Sequence, residues 1–217
     1  MYFIRSPRWL RWMYSNLIWE VPVEKGEKIL YLTFDDGPHP IATPFVLDQL
    51  KIYNAKATFF CIGRNVADHS DIYKAILDQE HKVGNHTYNH LNGWKVKDQQ
   101  YIDDIAQAAT LIDSKMFRPP YGRIRRFQAK VLTGDIQQRS TNNDQHFAII
   151  MWSVLAGDWD ANITGEKCYE NIVVNAEPGS IIVFHDSAKA LERLQYALPK
   201  VLAYFAQQGY QFKVLPY

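Results

Sequence analysis

What the sequence lacks narrows it first. The 217-residue chain has only two cysteines, Cys61 and Cys168, too far apart for a zinc knuckle or a C-x-x-C redox pair. Cys61 falls in a strand-like run and Cys168 in a helix-like one. Both read as buried free thiols acting as small hydrophobes, with a disulfide left open. Charge of one sign is also missing. The 24 Lys and Arg against 23 Asp and Glu leave a net charge of +1, which gives no bulk attraction to nucleic acid or anionic membrane. No nucleic-acid partner is expected. No apolar run is long enough to span a bilayer. No cleavable leader is read either, because Arg11, Ser15 and Asn16 interrupt the N-terminal apolar residues and no small-residue cleavage site follows. The expectation is a cytoplasmic or membrane-peripheral protein. Repeats, low-complexity tracts and linkers are absent. So are G-x-G-x-x-G and G-x-x-x-x-G-K-[ST], which removes the usual nucleotide-binding fingerprints.

What is there suits one packed domain over 1–217, since 47% of the residues are hydrophobic. Residues 1–27 stand apart. Trp9, Met13 and Leu17 recur at helical spacing among Arg5, Arg8 and Arg11. This predicts a short amphipathic helix, suited either to a membrane surface or partner or to packing on or beside the rest of the domain. Packing is favoured, and a monomer is expected. Beyond Lys28, apolar runs alternate with helix-period segments. Ile29 to Phe34 reads as a strand, and Thr43 as an N-cap with Pro44 at the first helical position. Further strands are predicted at Ala57–Ile62, just before Asn85, at Phe147–Val154 and at Ser180–Phe184, with a closing strand at Phe212–Leu215. Helices are predicted around Ile72–Leu77, over Asp98–Ile112, and from Ala188 to Gln208 with a kink or restart near Pro199. The polar stretch Gly134–Gln145 reads as a mobile loop that either shapes a cleft or does nothing.

Strand then helix, repeated, implies parallel strands joined by helical crossovers. A doubly wound sheet or a barrel would satisfy this. The α/β barrel is preferred because the reactive side chains each follow an apolar run, and barrel active sites form where strands end and loops begin.

Those side chains fall in five short segments. Thr33-Phe34-Asp35-Asp36-Gly37-Pro38 closes the first strand with two adjacent carboxylates, which repel unless something positive lies beside them. One could ligate a metal while the other acts as a base; a solvated turn is the plainer account. His86-Thr87-Tyr88-Asn89-His90 is an H-x-x-x-H pair whose imidazoles would share one face of a helical turn. With one carboxylate added, it makes a three-ligand site with positions left for water and substrate. Arg118-Pro119-Pro120-Tyr121-Gly122 holds an arginine in rigid extended backbone, able to orient a carboxylate. Asp158-Trp159 follows the apolar run ending at Leu155. His185 closes the buried run from Ser180 and is a candidate general acid, or else a satisfied core histidine. Asn92-Gly93-Trp94 offers an aromatic for sugar stacking or a buried structural Trp.

Taken in this order, the segments resemble the polysaccharide deacetylases of carbohydrate esterase family 4 (the NodB homology domain), from about Lys28 to Tyr217. The resemblance implies a distorted, incomplete (β/α) barrel of seven parallel strands, and removal of acetyl groups from an acetylated oligo- or polysaccharide. It further implies Asp35 as the base, and Asp36, His86 and His90 as ligands of one divalent ion, zinc first, with cobalt or nickel also suited. Arg118 would position Asp35, and Asp158 would tune His185 as the acid. Tyr121 would offer its N–H to an oxyanion, while Trp159 and Val183 would line the methyl pocket. Two positions depart from the family pattern. Leu155 stands where the fourth motif usually begins with Asp, and Val183 where the fifth usually has Leu. Both bear on substrate preference. An O-acetyl xylan esterase would use the same residues. A catalytically silent carbohydrate-binding protein would have lost a ligand or base, and none is lost.

Overall fold

A computed structural model of the chain describes residues 2–135 and 146–217. A short helix, α1 (Arg8–Met13), precedes a sheet of parallel strands: β1 (Ile29–Asp35), β2 (Ala57–Cys61), β3 (Lys82–Asn85), β4 (Met116–Phe117), β5 (Ala148–Ile149), β6 (Val154–Leu155) and β7 (Ile181–His185). Their spatial order is β5-β4-β3-β2-β1-β7-β6, and β8 (Gln211–Phe212) pairs with the start of β1. Parallel pairing demands crossovers. These are α2 (Ala42–Ile52), α3 (Gly63–Asp68) with α4 (Ser70–Asp78), α5 (Asp98–Ala109), α6 (Arg126–Leu132), α7 (Gly165–Asn175) and α8 (Leu191–Gln207). The result is the distorted, incomplete (β/α) barrel.

Period-two alternation sorts the side chains. On β1, Leu30, Leu32 and Phe34 pack outward with Val46 and Leu50 of α2 and Leu194 and Leu198 of α8. Tyr31 faces inward with Phe60, Met116, Ile150 and Ile181. Thr33 and Asp35, two and four residues further on, share that inward face. All seven residues of β1 are buried, which explains its unbroken apolar character.

The barrel closes imperfectly between β5 and β6, the two ends of the strand order. The N-terminal segment fills this seam. Ile18 N–H donates to Ile149 O at 2.9 Å and Met151 N–H to Ile18 O at 2.7 Å. Leu155 N–H donates to Ile4 O at 2.9 Å and Ser6 N–H to Ser153 O at 3.0 Å. Sheet edges that would otherwise stay open are thus covered by the chain's own start. Leu17 and Trp19 are buried there, but α1 buries none of its residues. No helix among the described residues is long and apolar enough to cross a membrane.

Several expectations need correction. Phe147–Val154 is not one strand: β5 ends at Ile149 and β6 begins at Val154, because the backbone changes hydrogen-bonding partner in between. An apolar run cannot show such a change. Thr43 is not the N-cap of α2, which begins at Ala42. The ring Nδ1 of His39 accepts the Ile41 and Ala42 amides instead, at 3.2 and 3.1 Å. α5 stops at Ala109, three residues early. α8 runs unbroken through Pro199; its packed face of Leu194, Leu198, Val201, Leu202 and Phe205 outweighs the proline's cost of about 3 kcal/mol. The closing strand is Gln211–Phe212 rather than Phe212–Leu215. Cys61 and Cys168 are buried and free. Of the stretch Gly134–Gln145, all but Gly134 and Asp135 lies outside the described residues.

Candidate active site

The register brings the chemistry together. Asp35 ends β1 directly beside His185 at the end of β7, and Thr33 sits beside Val183 one inward step below. Arg118, just past β4, is fully buried beneath them. Its Nη1 donates to Asp35 Oδ1 and to Thr33 Oγ1, each at 2.7 Å. Its Nε donates to Ile150 O at 3.2 Å and Nη2 to Met151 O at 3.0 Å, while the guanidinium lies 4.1 Å from the centre of the Phe60 ring. Such a buried charge survives only with this many partners. Burial pulls the Arg118 pKa down, and the Asp35 carboxylate opposes that pull.

Asp36 follows on a left-handed backbone, φ 81°, which turns it away from its neighbour. Asn65 Nδ2 holds its carbonyl at 2.7 Å. His86 and His90 do not lie on a helical turn as the spacing suggested. They belong to a loop after β3, with Thr87 at φ 63° and His90 at φ 56°. Two buried polar groups shape it. Asp104 of α5 accepts the Tyr88 and Asn89 amides at 2.8 and 3.0 Å, and Asn85 accepts the Thr87 amide at 2.8 Å. The outcome resembles that of a helix, since candidate ligand atoms of Asp36, His86 and His90 all lie within 4.8 Å of one another. His86 Nδ1 lies 2.8 Å from Arg118 O, which leaves Nε2 for the cluster.

Three observations fit this cluster to a cation. Asp36 Oδ1 is buried and accepts no hydrogen bond, although His90 Nε2 is 3.2 Å away. Burial pulls the His86 pKa down to about 4 and the His90 charge adds to it, against Asp35 and Asp36, so its ring is the neutral form that ligates. Burial raises the Asp36 pKa, but the surrounding histidines, His90 foremost, outweigh it and hold the carboxylate below its ordinary range. Four of the six left-handed non-glycine residues described (Asp36, Thr87, His90 and Tyr121) surround this cluster. Backbone strain of this kind gathers where function needs fixed geometry.

Across from it, His185 Nδ1 lies 2.9 Å from Asp158 Oδ1, and its amide donates to Asp158 Oδ2 at 2.7 Å. Burial alone would lower the His185 pKa, but Asp158 outweighs it and lifts the ring to about 9. Trp159 packs against the His185 ring at 4.8 Å. Tyr121 lies with its ring 4.6 Å from that of His90. Val183 is buried on the inward face of β7, and Trp94 is 50% exposed rather than a buried structural Trp.

Some participants escaped the sequence reading. Asp186 is fully buried; its Oδ1 accepts the Gly37 amide at 3.1 Å and its Oδ2 the Thr43 hydroxyl at 2.5 Å. A Cβ at residue 37 would meet Asp186 Oδ2 at 2.1 Å, so only glycine fits after the Asp pair. Asp104 carried a signal that could have been read, an acid on the apolar face of α5 between Tyr101, Ile102 and Ile105. Thr33 carried none.

Comparison with known proteins agrees with this geometry. Residues 23–133 match the family model described as polysaccharide deacetylase. A peptidoglycan-N-acetylglucosamine deacetylase of Bacillus cereus is 36% identical over 202 residues, covering 90% of this chain and 69% of that protein. A chitooligosaccharide deacetylase of Azorhizobium caulinodans is 31% identical over 209 residues, covering 89% of this chain and 96% of that protein. The crystal structure of the Bc1960 peptidoglycan N-acetylglucosamine deacetylase superimposes with a TM-score of 0.83 at 33% identity, covering 97% of this chain and 95% of that one.

Proposed function

The chain belongs to the polysaccharide deacetylase family, and we propose that it hydrolyses the N-acetyl group of N-acetylglucosamine units in a peptidoglycan- or chitin-like glycan. One observation carries the assignment. Asp35 and His185 stand side by side on adjacent strands, next to a three-residue cluster with an unshared carboxylate oxygen. Asp36, His86 and His90 would hold one divalent ion, zinc by preference or else cobalt or nickel, and that ion would polarise the acetamide carbonyl and acidify a water.

The chain's own residues do the rest. Asp35, aligned by Arg118, takes a proton from the attacking water. Tyr121 offers its backbone N–H to the developing oxyanion. His185, kept protonated by Asp158, delivers a proton to the departing nitrogen, without which an amine leaves poorly. Trp159 and Val183 border the acetyl methyl. The products are acetate and a free amino sugar.

Acetate release from metal-supplemented protein tests this, using chitooligosaccharides, peptidoglycan fragments and acetylated xylan in parallel. Release from xylan alone would make it an ester hydrolase instead. Asp36→Ala is expected to lose bound metal and activity together. Asp35→Asn is expected to keep the metal while kcat falls by about 10²–10⁴-fold. Retention of most of the wild-type rate by Asp35→Asn would remove the base assignment.

A further inference from the structure

Three exposed aromatics of the N-terminal segment, Tyr2, Phe3 and Trp9, line a groove next to the active site. A groove of about 440 Å³ opens beside Tyr121, within the range of about 300–1,000 Å³ usual for small-molecule sites. Phe3, Trp9 and Met13 of the N-terminal segment line it together with Trp94 and Tyr121. Trp9 is 56% exposed. Tyr2 also reaches the acid side of the site, its ring 5.0 Å from Trp159, which packs on His185.

We propose that this groove binds the sugar units next to the one that reacts, with Trp9 of the N-terminal segment as a stacking platform. The proposal rests on the glycan reading above. Three features favour a sugar chain as occupant. The groove adjoins the reaction centre, because Tyr121 lines it and its ring also lies 4.6 Å from that of His90. A polymer whose reacting unit sits at His90 must run outward, and this groove lies on the other side of the neighbouring Tyr121. The walls pair flat aromatic faces with a cation, the Arg123 guanidinium lying 4.2 Å from the Trp94 ring centre. A pyranose matches that pairing, with apolar C–H faces for the rings and hydroxyls for the charge. Finally, Leu155 lines the same groove while its amide is tied to Ile4. The departure from the family pattern at that position therefore falls on the neighbouring sugars rather than on the chemistry.

A lipid surface is the rival occupant, and Trp12 separates the two. It is 82% exposed on α1 but lies outside the groove. A membrane face would use Trp12 with Trp9; a sugar groove would use Trp9 alone. Since α1 buries none of its residues, Trp9→Ala and Trp12→Ala should both fold.

The experiment compares kcat/KM for acetate release from the N-acetylated chitin disaccharide and pentasaccharide. Trp9→Ala is expected to reduce the preference for the pentasaccharide by about tenfold, the effect of losing roughly 1.4 kcal/mol of contact. Trp12→Ala is expected to match wild type. Calorimetric titration with the pentasaccharide should show the same split in Kd. Identical behaviour of all three proteins would overturn the proposal. Equal loss of binding to phosphatidylglycerol vesicles in both variants, with unchanged kinetics, would also overturn it and assign the segment to a membrane. If wild type released no acetate from either oligomer, the function above would fail by itself, and the calorimetric split would still decide the groove.

Discussion

The central strands and the seam of this barrel are built in opposite ways. β1 shares four register positions with β2 and five with β7, and β2 shares four with β3. β4, β5 and β6 are two residues each, with one or two register positions in each pairing, and isolated bridges from the N-terminal segment reach Ile150 and Val154. Asp35, Asp36, His86, His90 and His185 all follow or end the long strands. The wall of the groove hangs from the seam. The contrast separates two requirements. Groups that move protons must be held to fractions of an ångström by well-supported elements, whereas a wall for neighbouring sugars can rest on less stable structure.

Arg118 is where the comparison is most open to attack, because it is the bolt between the two regions. It ties Asp35 and Thr33 of β1 to the carbonyls of Ile150 and Met151 in the seam. Arg118→Met would strand a buried carboxylate and two carbonyls, with an expected loss of about 3–5 kcal/mol in urea unfolding. Activity should fall as well, since Asp35 loses its alignment. A loss below about 1 kcal/mol would show that seam and centre do not share this link.

A second test acts on the central region alone. His81 precedes β3, its Nδ1 accepting the Ala57 amide at 3.2 Å and its ring packed 5.5 Å from that of Phe59. Burial, helped by Lys56, lowers its pKa from 6.5 to about 4. The unfolded chain therefore binds the proton first on acidification. This part of the stability is complete above pH 6.5 and is lost as pH falls toward 4, by up to about 3 kcal/mol. His81→Asn keeps an acceptor for Ala57 and cannot titrate. The difference in pH dependence between wild type and this variant isolates the effect from other groups, among them Asp186, whose buried carboxyl is pushed up to about 8. Parallel pH profiles would mean that His81 is not held neutral in the fold.

The same division decides what could be read from the sequence. The long strands announce themselves, since Ile29–Phe34 and Ser180–Phe184 are continuous apolar runs ending in reactive side chains, and their order with Arg118 and Asp158 points to one site. The seam does not. Residues 150–153 look like more of the same strand, and only long-range hydrogen bonds to Ile18, Phe117 and Ile181 show the break. Local spacing misled at His86–His90, where Asp104 and Asn85 build with a strained loop what a helical turn would have built. At α1 the spacing predicts packing on the domain, and Leu10 and Tyr14 do pack there, but it does not foretell that Trp9 is left lining a groove. Thr33 is held by Arg118, 85 residues away, and the Tyr2 hydroxyl donates to Asp160 Oδ2, 158 residues away; no local pattern encodes such pairings.

The smallest expected effect probes the seam by itself. Ser6 is buried, and its hydroxyl donates to Trp152 O at 2.6 Å beside the backbone bond from Ser6 N–H to Ser153 O. Ser6→Ala removes the side-chain bond and leaves the backbone one, so global stability should drop by only about 1 kcal/mol. The informative measurement is amide hydrogen exchange. If seam and centre are separate in stability, exchange at Ser153 and Leu155 should quicken while β1, β2 and β3 stay as slow as in wild type. The groove should weaken with the seam, because Leu155 and Trp152 line it; the pentasaccharide preference should shrink while turnover of the disaccharide is kept. Faster exchange in the central strands too would show one cooperative unit. The seam would then be as much a part of the catalytic scaffold as β1, and the division between a rigid centre and a yielding wall would have to be abandoned.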